Sequence, residues 1–258
     1  MTALSTDGLD CWAVVVAAGN STRFGPENKL LLPIEHPGTD QALPLVAATV
    51  LSIAACPVIT GVVVVCQADV EETLATNADF QAAWPESKPL QFCRGGEARR
   101  DSVRAGLAAL PSHVTRVAIH DGARPNPNSL AMAQAIQALT PAVTATFLGS
   151  PMTHTVCWVA ADGHATLPPE PFPATLPREH LWQAYTPQVV WRDRWGTADS
   201  VVPHDAPCTD DVQLLLQAHA LASPHLPPPV ILPIHDPGLN IKVTTPADSR
   251  LLGVAMAR

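Results

Sequence analysis

Apolar β-branched runs recur along the chain, with helix-spaced stretches between them. Ala13-Val14-Val15-Val16-Ala17-Ala18 is the first run and Val62 to Cys66 the second; Arg116-Val117-Ala118-Ile119 and Val143 to Leu148 follow. Runs this apolar suit strands covered on both faces, as in a parallel sheet. Between them, Val103 and Leu107 stand at i, i+4, and Met132, Ile136 and Leu139 at i, i+4, i+7, which is the spacing of one helix face. Strand and helix in alternation predict an α/β fold, a Rossmann-like open and mostly parallel sheet flanked by helices. Ligands of such sheets bind at the carboxyl ends of the strands.

Two stretches depart from that rhythm. No charge occurs between Asp40 and Asp69, a length that would span a bilayer, but Pro57 and Gly61 interrupt it. A helix, a turn and a buried strand account for it better, so no membrane association is expected. The segment from Thr155 starts β-like (Thr155-Val156-Cys157-Trp158-Val159), passes a turn at Asp162-Gly163 and enters a proline cluster. It reads as a projecting β-arm at about residues 152–177 on a single domain covering 1–258.

Composition narrows the function. The 258 residues carry 15 basic and 23 acidic side chains, a net charge of −8, with no basic tract, which argues against general nucleic-acid binding. The 27 prolines fit rigid loops and element ends better than a recognition motif. Six scattered cysteines without C-x-x-C spacing, and no basic segment followed by an apolar one at the start, predict a cytoplasmic protein. The ten histidines form no metal-ligand pattern, so no protein metal cage is expected.

The strongest local signal follows the first strand: Ala17-Ala18-Gly19-Asn20-Ser21-Thr22-Arg23-Phe24-Gly25-Pro26-Glu27-Asn28-Lys29. Small residues let backbone N–H groups approach phosphate oxygens, and Arg23 and Lys29 add two cations. Neither a Walker A loop nor a G-x-G-x-x-G fingerprint is present. Read alone, the segment is either a triphosphate cradle or a turn with two solvated cations.

This loop resembles the signature of nucleotidyltransferases, and four later blocks resemble one family, the 2-C-methyl-D-erythritol 4-phosphate cytidylyltransferases. The blocks are Gly95-Gly96-Glu97-Ala98-Arg99-Arg100-Asp101-Ser102-Val103, His120-Asp121-Gly122-Ala123-Arg124-Pro125, Arg178 to Gln188 with its L-W-x-A-x-T-P-Q wording, and Cys208-Thr209-Asp210-Asp211 followed by Asn240-Ile241-Lys242-Val243-Thr244. By themselves Ser102 is also a helix-start residue, Asp121 and Arg124 a structural ion pair, and Thr209-Asp210-Asp211 a helix N-terminus. The resemblance implies a nucleotide site at Ala17, Ala18, Gly19, Gly96, Glu97, Ser102, Asp121 and Gly122. It implies a second-substrate site at Asp121, Arg124, Thr155, Arg178, Thr186, Thr209 and Lys242.

The implied reaction joins CTP to a polyol phosphate, methylerythritol phosphate, and releases pyrophosphate. Arg23, Lys29 and Lys242 are the implied catalytic cations, with Mg²⁺ bound mainly through the CTP phosphates. Five cations, Arg23, Lys29, Arg124, Arg178 and Lys242, are expected to converge on one cleft of an otherwise acidic protein. The family also implies a homodimer formed through the arm, with Thr155 and Arg178 serving the neighbouring subunit. Rival readings are a ribitol 5-phosphate or molybdenum-cofactor cytidylyltransferase, a non-catalytic nucleotide-binding regulator on the same fold, and a proline-based interaction platform.

Overall fold

The computed structural model describes residues 10–19, 24, 28–37, 39, 41–159, 161, 165–166 and 177–256. In chain order the strands are β1 (Cys11–Ala17), β2 (Pro33–Ile34), β3 (Leu43–Pro44), β4 (Ile59–Cys66), β5 (Leu90–Arg94), β6 (Arg116–Asp121), β7 (Ala145–Pro151), β8 (Trp158–Val159), β9 (Ala165–Thr166), β10 (Trp182–Trp191) and β11 (Ile231–His235). The helices are α1 (Leu45–Ala54), α2 (Ala68–Thr76), α3 (Ala78–Ala83), α4 (Arg99–Ala109), α5 (Ser129–Ala138), α6 (Arg192–Val201), α7 (Asp211–Ala222) and α8 (Pro246–Met256). Single 3₁₀ turns form at Lys29–Leu31 and Arg178–His180.

Seven strands make one sheet in the order β11-β7-β10-β6-β1-β4-β5. β5, β4, β1 and β6 run parallel, as do β7 and β11, and only β10 is reversed against its neighbours. The fold is therefore the expected open, mostly parallel α/β sheet. Period-2 alternation builds a core on each face. Cys11, Ala13, Val15 and Ala17 of β1 join Val62, Val64 and Cys66 of β4 beneath α1 and α5. The intervening Trp12, Val14, Val63 and Val65 pack on the other face with Val103 and Leu107 of α4, Trp195 of α6 and Leu214 of α7. Those strands contain no polar alternation because both faces are covered.

The uncharged stretch resolves into α1, a turn and β4, and no described helix is long and apolar enough to cross a membrane. The fourth expected strand starts at Ala145 rather than Val143. The Val143 amide instead closes a turn on the Thr140 carbonyl at 2.9 Å. In the arm segment β8 pairs antiparallel with β9, while the expected turn at Asp162-Gly163 lies outside the described residues.

Arg100 locks α4 to α6. Only 9% exposed, it donates to Asp199 Oδ1 at 2.6 Å and to the carbonyls of Val202 and Pro203 at 2.7 and 2.8 Å. That lock fixes α4, whose first turn borders the site, to the end of α6.

Candidate active site

Registers Ala17↔Cys66, Cys66↔Arg94 and Val16↔Asp121 bring the carboxyl ends of β1, β4, β5 and β6 to one edge. A pocket of about 670 Å³ opens there. Two glycines allow the loops to close around it. A Cβ on Gly95 would stand 2.1 Å from Ala18 Cβ and 2.9 Å from Ser102 Oγ. One on Gly122 would meet Ala17 Cβ at 2.8 Å, whereas its bare amide donates to the Val16 carbonyl at 2.8 Å. Small residues are required here by the close approach of one strand-end loop to the next.

Ala17, Ala18 and Gly19 of the first loop line the pocket together with Gly96, Glu97 and Ser102 of the β5–α4 turn. Ser102 is 2% exposed; its hydroxyl accepts from the Gly96 amide at 3.2 Å and donates to the Ala98 carbonyl at 3.3 Å. It therefore shapes the turn whose backbone faces the cavity, and Asp101 closes the same turn by accepting from the Ala98 amide at 3.1 Å. Lys29 reaches the pocket from the 3₁₀ turn that Asn28 caps. The Asn28 carboxamide also donates to Asp69 Oδ2 at 2.9 Å, fastening this segment to α2.

Asp121 is the centre of charge. Lys242 Nζ and Arg124 Nε lie 2.9 and 3.3 Å from its Oδ2, and Arg99 Nε lies 3.4 Å from its Oδ1. Burial alone would raise its pKa, but Arg99, Lys242 and Arg124 together hold the carboxyl well below the usual carboxylate range. Arg99 is likewise opposed by burial, yet Asp211 and Asp121 keep its guanidinium firmly protonated. Arg99 continues the chain of charges, donating from Nη2 to Asp211 Oδ2 at 2.9 Å.

The segment carrying Lys242 is stitched to the Asp121 loop. Arg124 Nη1 donates to the Asn240 carbonyl at 2.7 Å, and the Val243 amide to the Ala123 carbonyl at 2.9 Å. The Asn240 carboxamide donates to the Thr186 carbonyl at 2.8 Å and to Asp236 Oδ2 at 2.9 Å. Thr186, 4% exposed, accepts from the Asp121 amide at 3.1 Å and lies 3.0 Å from His120 Nδ1. The other ring nitrogen of His120 stands 2.9 Å from the Arg124 carbonyl, which can only accept. Nε2 is therefore the protonated nitrogen and Nδ1 accepts from Thr186. Burial lowers the His120 pKa to about 4, so the ring is neutral at ordinary pH.

Of the five expected cations, Lys29 and Lys242 line the pocket and Arg124 adjoins it through Asp121. Arg23 lies outside the described residues. Arg178, Thr155 and Thr209 do not line the pocket of their own chain: Arg178 donates to the Thr153 carbonyl at 3.2 Å, and Thr209 is tied to Gln213 at 2.7 and 2.9 Å. Arg99, Gln67 and Thr244 line the pocket although none was singled out from the residue pattern. Arg99 lies in the Gly95–Val103 stretch, and its signal is an arginine at a helix start, where a lysine or arginine opposes the dipole unless acids hold it.

The family model for 2-C-methyl-D-erythritol 4-phosphate cytidylyltransferase matches residues 11–257. The chain belongs to this family. The family's cytidylyltransferase of Xylella fastidiosa strain 9a5c is 32% identical over 241 residues, covering 92% of this chain and 93% of that protein. That of Xanthomonas oryzae pv. oryzae strain PXO99A is 33% identical over 258 residues, covering 96% and 82%. The fold is shared with the 4-diphosphocytidyl-2C-methyl-D-erythritol synthase of Anaerococcus prevotii at a TM-score of 0.74, 21% identity and 96% coverage of both chains. Family membership makes the chain a nucleotidyltransferase of isoprenoid biosynthesis. The ribitol 5-phosphate, molybdenum-cofactor and regulator readings gain no support from these likenesses.

Proposed function

We propose that this pocket transfers the cytidylyl group of CTP to 2-C-methyl-D-erythritol 4-phosphate, giving 4-diphosphocytidyl-2-C-methyl-D-erythritol and pyrophosphate. The observation that carries the reading is Asp121 held by Lys242, Arg99 and Arg124 in the wall of a glycine-lined pocket on the carboxyl ends of β1, β4, β5 and β6. An oxygen of the methylerythritol phosphate attacks the α-phosphorus, and the bond to the bridging oxygen breaks with pyrophosphate leaving. Two anions must meet, so the protein supplies alignment and positive charge rather than a covalent intermediate. Lys29, with Arg23 by resemblance, faces the triphosphate and its leaving pyrophosphate. Lys242 neutralises charge that gathers at the attacked phosphorus, while Asp121 keeps its ammonium in place.

Among the described residues no three His, Cys, Asp or Glu side chains gather as a metal site. The donor set fits a Mg²⁺ ion carried by the phosphates of CTP, with Asp121 and Glu97 the acidic side chains at the pocket wall. Such an ion supplies charge neutralisation of the triphosphate.

The second substrate contacts Asp121 and Arg124 in the same chain, and Thr155 and Arg178 from the neighbouring subunit of a homodimer. This is supported by the exposure of Thr155 and Arg178 and by their position outside their own chain's pocket lining. Thr186 acts from beneath, by holding the Asp121 amide. Six free thiols suit a reducing cytoplasm. Pyrophosphate release that requires both CTP and methylerythritol phosphate tests the reaction; sedimentation of the free protein tests the dimer. Release with ribitol 5-phosphate but not methylerythritol phosphate would overturn the substrate, and an active monomer would overturn the shared site.

A further inference from the structure

Helix α7 begins with two acids, and one of them is not needed to begin it. Asp210 already caps the helix, accepting from the Gln213 amide at 2.8 Å. The free Asp211 and Val212 amides are met by Gln188 Oε1, each at 2.9 Å. The Asp211 carboxylate is turned inward instead and is 2% exposed. Its Oδ1 accepts from Trp195 Nε1 at 2.9 Å and its Oδ2 from Arg99 Nη2 at 2.9 Å. A carboxylate buried this deeply costs several kcal/mol unless it is paired, so its placement needs an explanation beyond capping.

Arg99 supplies that explanation. Its side chain is 26% exposed and lines the nucleotide pocket. Asp121 alone holds it at 3.4 Å, a long contact, whereas Asp211 holds it at 2.9 Å. A guanidinium grasped by carboxylates on two of its nitrogens cannot rotate freely, which a single-point ammonium would do. Released from Asp211, Arg99 would be drawn to the phosphates of a bound triphosphate, and Asp121 would lose one of the groups that orient it.

We propose that Asp211 is a positioning residue for the transfer reaction: it holds the Arg99 guanidinium against Asp121, and so fixes the carboxylate that anchors Lys242. The inference rests on the cytidylyltransferase reading of the pocket. It also gives the start of α7, two residues after Thr209, a rigid link to the nucleotide site through Asp211 and Arg99, while Gln188 holds its first amides.

The test is a double-mutant cycle on purified full-length protein, with wild-type turnover measured first. A wild type that releases no pyrophosphate from CTP and methylerythritol phosphate sinks the function reading. Only an active wild type with the results below sinks the positioning role. Asp211→Asn keeps volume and removes the charge. It is expected to lower kcat by about 10- to 100-fold, the scale of a small misplacement, while KM for CTP stays level or falls. The Arg99→Met/Asp211→Asn pair should be no slower than Arg99→Met alone, within about threefold, because Asp211 acts through Arg99. Losses that multiply, or wild-type kcat with only a lowered melting temperature, overturn the proposal. If Asp211→Asn does not fold, Arg99→Lys carries the test. It keeps the charge beside Asp121 but cannot bridge both acids, and should show the same loss of kcat; wild-type kcat there overturns the proposal.

Discussion

Replacing Lys242 with methionine separates what this side chain does for the reaction from what it does for the fold. Lys242 Nζ lies 2.9 Å from Asp121 Oδ2, but the side chain remains 36% exposed. Asp121 is buried, but the ammonium end of the pair is open to solvent, which holds its contribution to stability to about 1 kcal/mol. Asp121 keeps Arg99 and Arg124, so no buried carboxylate is stranded. Methionine preserves most of the aliphatic stem, and for a chain of this size the melting temperature should move by about 4 °C at most. The kinetic cost is of another order. Losing one oriented donor that stabilises developing charge costs about 10²–10³ in rate, roughly 3–4 kcal/mol. Lys242→Met should therefore turn over about a hundred- to a thousandfold more slowly at saturating CTP and methylerythritol phosphate, with a near-normal melting curve. The measurements are continuous pyrophosphate release and thermal unfolding by circular dichroism on the same preparation. A kcat within a few-fold of wild type would refute the charge-stabilising role. A melting temperature lowered by tens of degrees would show that Lys242 is instead a strut.

Other perturbations should divide differently. Asp121→Asn leaves Lys242, Arg99 and Arg124 facing one another, so it should lose both activity and about 3–5 kcal/mol of stability; a fully active, equally stable variant would contradict the charge assignment. His120 has its pKa lowered from 6.5 to about 4 by burial, so only the unfolded chain takes up its proton between those values. Its contribution, roughly 3 kcal/mol, is whole above pH 6.5 and drains away as pH falls toward 4. The melting temperature should fall across that window, and His120→Gln should flatten the fall; an unchanged profile would rule His120 out as its source. Gly106→Ala puts a Cβ 2.4 Å from Val14 Cγ1 and 2.7 Å from Val65 Cγ2, between α4 and the sheet, and Gly106 does not itself line the pocket. Overpacking of this kind costs about 1–3 kcal/mol, so melting should drop while kcat per folded molecule holds, and an unaltered melting curve would show that the sheet yields there.

The sheet was legible because its central strands are covered on both faces. Val62 to Cys66 and Ala13 to Ala17 contain nothing but apolar residues, and their carboxyl ends are where an open sheet must bind ligand. Strand β10 was not, since Gln183, Tyr185, Thr186, Pro187 and Gln188 break any simple period. Two of the polar ones are buried for the sake of the site: Thr186 holds the Asp121 amide and Gln188 the first amides of α7. Lys29, Asp121 and Lys242 could be named from blocks of sequence. The tie between Arg99 and Asp211 could not, because 112 residues separate them and only the folded sheet brings them together. Asp210 and Asp211 look alike as first-turn acids, yet one caps a helix and the other pairs with an arginine on the pocket wall.

The measurement closest to the central claim is pyrophosphate release by the purified protein with Mg²⁺, supplying CTP and methylerythritol phosphate together, each alone, and each replaced by ATP, GTP, UTP or ribitol 5-phosphate. Release should need CTP and methylerythritol phosphate together, with one cytidine diphosphate adduct of the polyol formed per pyrophosphate. Tight CTP binding without release from any acceptor, or release that prefers ribitol 5-phosphate, would contradict it.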